Sequence, residues 1–164
     1  MYSVRMLPQA GPTPGFLVWR LSMKWRAAVD RALTPLEITH AHYSLLSSLL
    51  GMHALGHAPS QRELSDHTGL EALYVSKLAR ALEGRELIVR QRHPADPRAW
   101  QLRLTEHGEH VTRSAIQTVR TLMDQLLAPL GGLDGDRTAA LVADLIALLD
   151  LADIHRPLAT LEQQ

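Results

Sequence analysis

The sequence predicts a mainly α-helical fold that carries one small β-hairpin. Two adjacent stretches indicate this fold class. Residues 60–90 have the pattern of a short helix, a tight turn and a second helix with a basic exposed face. Residues 91–108 have the pattern of two short strands around a charged tip that contains prolines. Elements in this order make a winged helix-turn-helix, in which the hairpin is the wing.

The first helix of this motif is bounded by residues with strong capping preferences. Ser60 is followed three positions later by Glu63, the spacing of a capping box in which each side chain accepts a hydrogen bond from the other residue's amide. Gly69 suits the left-handed conformation that commonly follows the end of a helix. The pattern therefore predicts a short helix from about Gln61 to His67.

The second helix is predicted from about Glu71 to Arg85. Val75, Leu78 and Leu82 recur at helical spacing on one face and should pack inward. The opposite face carries side chains that can donate hydrogen bonds to base edges and phosphates, namely Tyr74, Ser76, Lys77 and Arg80. An ordinary helix with a solvated basic face has the same pattern, and it is the wing after it that favours duplex DNA as the partner.

The wing is predicted because the helical spacing of apolar residues gives way to the patterns of short strands. Leu87-Ile88-Val89 is a short β-branched run, and residues 100–104 alternate apolar and polar positions as a half-buried strand does. Arg98, at the tip between them, is expected to enter the minor groove, where the negative potential favours a guanidinium. Asp96 would brace Arg98 by a bidentate hydrogen bond. The alternative is a surface hairpin with an incidental ion pair worth under ~1 kcal/mol.

The residues from about Phe16 to Asp150 resemble the MarR family of bacterial transcription regulators. The strongest match lies in the wing, where five residues fall on family positions: Arg90, Pro94, Asp96, Arg98 and Ala99. Residues 104–108 match the family's Leu-Thr-x-x-Gly, and residues 38–46 resemble its Leu-Thr-x-x-Gln-Tyr-x-x-Leu. The resemblance implies a DNA-binding regulator. The candidate DNA contacts are Ser60, Gln61, Tyr74, Ser76, Lys77, Arg80, Arg90, Asp96 and Arg98.

Three positions depart from the family pattern. Glu86 stands where the family prefers glycine before the first wing strand, and Pro97 replaces an arginine in the wing. Leu73-Tyr74 replaces a small polar pair at the start of the recognition helix. The first two departures affect the shapes of loops. The third predicts an unusual operator sequence, because these positions face the bases.

Composition and charge set limits on function. The chain has 164 residues, no cysteine and a net charge of zero, so disulfides and thiolate zinc sites are excluded. The charge is unevenly distributed: residues 77–103 contain seven Lys and Arg against three acids, and residues 124–164 contain seven acids against two Arg. The first of these segments suits a phosphate backbone. No apolar run approaches the ~20 residues that span a bilayer, and we expect a cytoplasmic protein.

The helices outside the DNA-binding region favour a homodimer. We expect an extended N-terminal arm at residues 1–15, dimerisation helices at 16–38 and 105–164, and a winged helix-turn-helix DNA-binding region at 39–104. Thr39 is the predicted cap of the second helix, and Asp134 that of the last. The last helix has apolar residues on more than one stripe and therefore needs partners on two sides. A fold-back within one chain is the alternative to a dimer, and a dimer implies a palindromic operator.

The family resemblance also implies a small ligand of aromatic or phenolic type. The residues that would line its pocket are Trp19, Met23, His42, Tyr43, Leu46 and Arg113, although the same residues could simply pack. We predict no cofactor, no metal ligand and no catalytic residue. The leading hypothesis is a ligand-modulated regulator, acting as a repressor. The alternatives are a zinc-responsive regulator of the same fold, using histidines such as His107 and His110, and a winged-helix protein-interaction module that does not bind DNA.

Overall fold

The computed structural model describes residues 11–92 and 98–151. It confirms the predicted fold class, with helices joined to one two-stranded antiparallel hairpin. The elements are α1 (Pro14–Leu33), α2 (His40–Ala54), α3 (Gln61–Thr68), α4 (Ala72–Gly84), β1 (Ile88–Arg92), β2 (Trp100–Leu104), α5 (Glu106–Leu126) and α6 (Asp136–Leu151). Short 3₁₀ turns lie at Thr34–Leu36 and Ala128–Leu130. The chain divides into two compact units, Met1–Val119 and Arg120–Gln164.

The predicted boundaries of α3 are confirmed by hydrogen bonds. The Glu63 amide donates to Ser60 Oγ at 3.2 Å, and the Ser60 amide donates to Glu63 Oε2 at 2.6 Å. The bond from the Ser60 amide is the main reason that the pKa of the Glu63 carboxyl lies below its usual value. At the other end Gly69 has a φ of 69°, the left-handed conformation that the sequence predicted.

The core of the first unit consists mainly of leucines from several elements. Leu45, Leu64 and Leu82 are fully buried, and Leu102 of β2 joins them. Val75, Leu78, Ala79 and Leu82 form the buried face of α4, which agrees with the predicted helical pattern. Burial of these apolar side chains orients the opposite face of α4 toward solvent.

The junction between the hairpin and α5 explains the Leu-Thr-x-x-Gly motif. Thr105 Oγ1 donates to the Glu86 carbonyl at 2.6 Å and accepts the Gly108 amide at 2.8 Å. A Cβ atom at Gly108 would overlap the carbonyl oxygen of Leu87. Glycine is therefore required at Gly108 because α5 passes directly against the backbone that leads into β1. That backbone includes Glu86, whose φ of 57° is one that glycine adopts more readily.

The start of α2 was predicted at Thr39, and the structure confirms it. Thr39 Oγ1 accepts the His42 amide at 3.3 Å, and the Thr39 amide donates to His42 Nδ1 at 3.2 Å. Asp30 Oδ1 also accepts the His40 amide at 2.6 Å, which ties α1 to this helix end. The Nδ1 atom of His42 must be unprotonated to accept a hydrogen bond, so this cap uses neutral His42.

The start of α1 differs from the prediction. The helix begins at Pro14, not Phe16, because Thr13 Oγ1 accepts the Phe16 amide at 3.3 Å and proline is favourable in a first helical turn. The last two residues of the predicted arm at 1–15 are therefore helical. Residues 1–10 lie outside the described residues.

The second unit contains the end of α5, a 3₁₀ turn and α6. Asp124 Oδ1 accepts the Leu133 amide at 2.9 Å, and Thr138 Oγ1 donates to the Gly132 carbonyl at 2.6 Å. Because α6 begins at Asp136, the residue before it is Gly135 and not the predicted cap Asp134. Within residues 11–92 and 98–151, no helix has the length and apolar character needed to cross a bilayer.

Candidate nucleic-acid interface

The solvent-facing side of α4 is basic, as predicted. Lys77 and Arg80 are exposed, whereas Ser76 is half-buried and Tyr74 is only 37% exposed. Lys77 and Arg80 are three positions apart and therefore share a face. Leu73, at the start of this face, is 85% exposed. Two cations flanking one apolar side chain on an exposed helix is an arrangement that can face a nucleic-acid groove.

The wing is attached to the start of α3 by backbone hydrogen bonds. The Leu102 amide donates to the Pro59 carbonyl at 2.9 Å, and Gln101 Nε2 donates to the Ala58 carbonyl at 2.7 Å. Beside this junction is an open cleft of about 500 Å³ that brings together three predicted contact residues, Ser60, Gln61 and Arg98. The attachment fixes the base of the wing relative to the helix-turn-helix.

The polar groups that line this cleft differ in their exposure and in their hydrogen bonding. The Ser60 hydroxyl is occupied by the capping box of α3. Gln61 Nε2 is buried and has no hydrogen-bond partner among residues 11–92 and 98–151, and Arg98 is exposed. A phosphate oxygen entering from solvent could reach the exposed Arg98 guanidinium but not the buried Gln61 nitrogen. The predicted brace Asp96 lies outside the described residues.

Arg90 is largely enclosed by other side chains, unlike the exposed cations of α4. Its Nε donates to Glu83 Oε2 of α4 at 2.6 Å, and its side chain is only 18% exposed. Its guanidinium carbon also lies 5.1 Å from the ring centroid of Trp100. These contacts join β1 to α4 and β2, so they hold the wing in place.

Arg92 is a candidate that sequence reasoning missed. It is exposed, it pairs with Trp100 across the hairpin, and its guanidinium carbon lies 4.2 Å from the centroid of that ring. Such stacking favours one orientation of a long side chain. The signal was present in the sequence as an arginine and a tryptophan on facing strands, but it could be interpreted only with the register of the hairpin.

The six residues expected to line a ligand pocket have very different environments. Leu46 is fully buried, whereas Trp19 is 60% and Met23 56% exposed. His42 and Tyr43 are half-buried. Arg113 is exposed and its Nε donates to Glu109 Oε1 of the same helix at 3.2 Å.

The titration of the α2 side chains is altered by burial. Burial lowers the pKa of His42, and the charge of Arg85 acts in the same direction. Burial also lowers the pKa of His40, against the opposing effect of Asp30, and raises the pKa of Tyr43. A neutral imidazole and a neutral phenol can each donate a hydrogen bond to a ligand oxygen.

Metal ligation finds no support in the described part of the chain. Residues 11–92 and 98–151 contain no group of three or more His, Asp or Glu side chains placed to hold one ion.

A basic recognition helix attached to a wing defines the class of winged helix-turn-helix DNA-binding proteins. The comparisons with known proteins assign the chain within this class. The MarR family model matches residues 38–100. The chain is 33% identical over 115 residues, 69% of its own length and 78% of the relative's, to YdcH of Bacillus subtilis strain 168, described as an uncharacterized HTH-type transcriptional regulator.

Solved structures agree with this assignment. The transcriptional repressor CouR bound to a 23-mer DNA duplex has 28% identity and a TM-score of 0.72, covering 84% of this chain and 92% of CouR. PcaV from Streptomyces coelicolor, in complex with its natural ligand, has 26% identity and a TM-score of 0.68, covering 85% and 92%. The chain belongs to the MarR family of DNA-binding transcription regulators, and its relatives are regulators, not enzymes.

Proposed function

We propose that this protein is a homodimeric repressor that binds a palindromic operator and whose affinity for that operator is changed by a small aromatic or phenolic ligand. The observation that carries the DNA-binding part is the exposed basic face of α4 in the same unit as the wing. A helix of this kind fits the major groove, about 12 Å wide in B-DNA.

The proposed DNA contacts lie on α4, on the wing and at the start of α3. Lys77 and Arg80 face base edges and phosphates from α4, together with Tyr74 and Ser76 at the margin of that face. Arg98 enters the minor groove from the wing, where Asp96 would orient it and Arg92 would add a phosphate contact.

The cleft at the start of α3 contributes a phosphate contact. Ser60 shapes this helix end through the capping box. The Gln61 side-chain nitrogen is buried and lacks a partner among the described residues, so its contact with a phosphate oxygen requires the side chain to turn outward on binding. Arg90 acts through its bond to Glu83 as a positioning residue for the wing.

Dimerisation is supported by apolar side chains that the single chain leaves exposed. On α1, Leu17 is 50% and Trp19 is 60% exposed, and on α6 Ile146 is 53% and Leu149 is 73% exposed. Exposed apolar side chains clustered on one helix are typical of protein interfaces. Covering them with a second copy would also place two copies of α4 on one duplex, about 34 Å apart.

The ligand proposal rests on α2 and on the relatives. His42 and Tyr43 are half-buried polar side chains near fully buried Leu46, and Trp19 and Met23 are exposed in a single chain but would be enclosed by a dimer partner. Arg113 could attract a carboxylate. PcaV was solved with its natural ligand and CouR is described as a repressor, which supports a ligand-controlled repressor here.

The test is duplex binding by fluorescence anisotropy over a series of salt concentrations. Arg98→Ala should weaken binding to every duplex by more than about tenfold, and Arg80→Ala should reduce the preference for the operator over random duplex. Arg120→Ala, which removes an exposed cation of α5 outside the proposed surface, should leave binding unchanged. Equal effects of Arg98→Ala and Arg120→Ala would refute the assignment of the wing, and no binding at low salt would refute the function.

A further inference from the structure

The exposed face of α4 has an apolar side chain at its centre. Leu73 is the second residue of the helix and is 85% exposed. At about 100° per residue, Arg80 lies about 20° and Lys77 about 40° from Leu73 around the helix axis. Val75, Leu78 and Leu82 occupy the opposite side and are buried. The most solvent-exposed direction of the recognition helix therefore carries a leucine between two cations.

The exposure of Leu73 is not unusual in itself, but its position is. Leu55, the C-cap residue of α2, is 86% exposed and lies outside α4, and single exposed leucines are common on protein surfaces. Leu73 differs because it lies in the first turn of the helix that would enter the groove. In helix-turn-helix proteins the N-terminal residues of that helix reach the base edges.

The chemistry of the major groove leaves one partner for an aliphatic side chain. Donors and acceptors on the base edges pair with polar side chains, which Leu73 cannot offer. The 5-methyl group of thymine is the one apolar group that an unmodified base pair presents in that groove. Contact between this methyl group and Leu73 would remove both from water, whereas a base without the methyl would leave the leucine against polar edges.

We propose that Leu73 is a specificity-determining residue that reads the 5-methyl group of a thymine in each operator half-site. This inference rests on the proposed function, because it requires α4 to lie in the major groove. Loss of one methyl contact corresponds to about a fourfold change in affinity per half-site, and to about fifteenfold when both half-sites are changed.

The test replaces thymine by deoxyuridine, which removes the methyl group and keeps every hydrogen-bonding group. A duplex selected by the protein is synthesised with deoxyuridine at each thymine position in turn, symmetrically in both half-sites. Wild-type protein should lose about fifteenfold in affinity at one symmetric position and little at the others. Leu73→Ala should bind the thymine and deoxyuridine duplexes equally, because the contacting side chain is gone.

Leu55→Ala is the matched control, since it removes an equally exposed leucine outside α4. This variant should keep the wild-type response to deoxyuridine, and unchanged thermal unfolding midpoints would show that both variants are folded. No sensitive position in the wild type, or equal sensitivity in wild type and Leu73→Ala, would overturn the inference while DNA binding stands. Failure of the wild type to bind any duplex would instead overturn the proposed function and, with it, this inference.

Discussion

In the predicted DNA-binding region, residues 39–104, most apolar side chains are buried and Leu55 and Leu73 are exposed exceptions, whereas α1 and α6 each expose a run of apolar side chains. Within the DNA-binding region Leu45, Leu64 and Leu102 are fully buried in a single chain. On α1 Trp19 is 60% exposed, and on α6 Leu149 is 73% exposed. The first region has a core of its own, whereas the exposed residues of the two helices have no cover within the described chain.

This difference distinguishes the part of the protein that one chain folds by itself from the helix faces that need a second surface to cover them. A winged helix-turn-helix needs only its own chain to orient α4 and the wing, because hydrogen bonds and packing within that region fix both. The exposed apolar faces of α1 and α6 gain little free energy until another surface covers them, at roughly 25 cal/mol per Å² of apolar area buried. A second copy of the chain is the proposed cover.

The largest effect is expected from a substitution that disrupts the internal packing of the first unit. Gly108→Ala should lower the free energy of unfolding by more than about 4 kcal/mol, because the new Cβ would overlap the Leu87 carbonyl oxygen and force α5 away from the hairpin. Denaturant unfolding followed by circular dichroism measures this loss.

Gly51→Ala is the control for that substitution. Gly51 lies within α2 and no atom lies within 4 Å of a Cβ built there, so alanine should stabilise the protein by about 0.5–1 kcal/mol. A loss of similar size in both variants would mean that overlap with the Leu87 carbonyl oxygen does not explain the effect of Gly108→Ala.

A smaller effect should follow from a charge on the exposed face of α6. Leu149→Asp should weaken dimerisation by about 100-fold, since a carboxylate would be buried without a partner. Sedimentation equilibrium measures the dissociation constant. Ala140→Asp places the same charge on the same helix, nine positions and therefore about 180° around the axis from Leu149, and should change dimerisation little. A Leu149→Asp protein that remains fully dimeric would refute the proposed interface on α6.

Two arginines of β1, Arg90 and Arg92, are expected to contribute differently to stability and to DNA binding. Arg90→Gln should lower the free energy of unfolding by about 1–2 kcal/mol, because it leaves the Glu83 carboxylate without its partner. Arg92→Gln should cost less than about 1 kcal/mol, the size of an exposed cation–π contact. It should also lower by about 1 the slope of log affinity against log salt concentration. The reverse pattern would exchange the roles assigned to Arg90 and Arg92.

The smallest effect concerns the backbone that leads into the wing. Glu86→Gly should stabilise the protein by about 1 kcal/mol, since Glu86 has a φ of 57°. Gly69→Ala is the reciprocal variant: Gly69 has a φ of 69° and open space around its Cβ position, so alanine should destabilise by about the same amount. Thermal unfolding can detect both shifts, and shifts of the same sign would contradict the explanation by backbone conformation.

Features encoded by neighbouring residues could be predicted from the sequence. The caps at Ser60 and Thr39 and the left-handed Gly69 depend on side chains and backbone within four positions. The MarR family prefers glycine at the position that Glu86 occupies here, and the φ observed at Glu86 gives the physical reason for that preference. The buried and exposed faces of α4 followed from helical spacing alone.

Features that depend on distant residues could not be predicted in the same way. Arg90 and Arg92 lie two apart on one strand, and their different environments depend on Glu83 of α4 and on the register that pairs Arg92 with Trp100. The ligand residues show the same limit, since Trp19 is exposed and Leu46 is buried in a single chain. The proposed pocket would be completed by a second chain, and its lining cannot be derived from the pattern of one chain.

The most direct test of the central claim, that a dimer reads DNA through two copies of α4, is selection of bound duplexes from a random pool followed by sequencing. The enriched duplexes should share an inverted repeat whose half-site centres lie about one helical turn, roughly 34 Å, apart. Enrichment of a single asymmetric half-site would contradict the paired arrangement, and recovery of unenriched sequences at low salt would contradict sequence-specific binding.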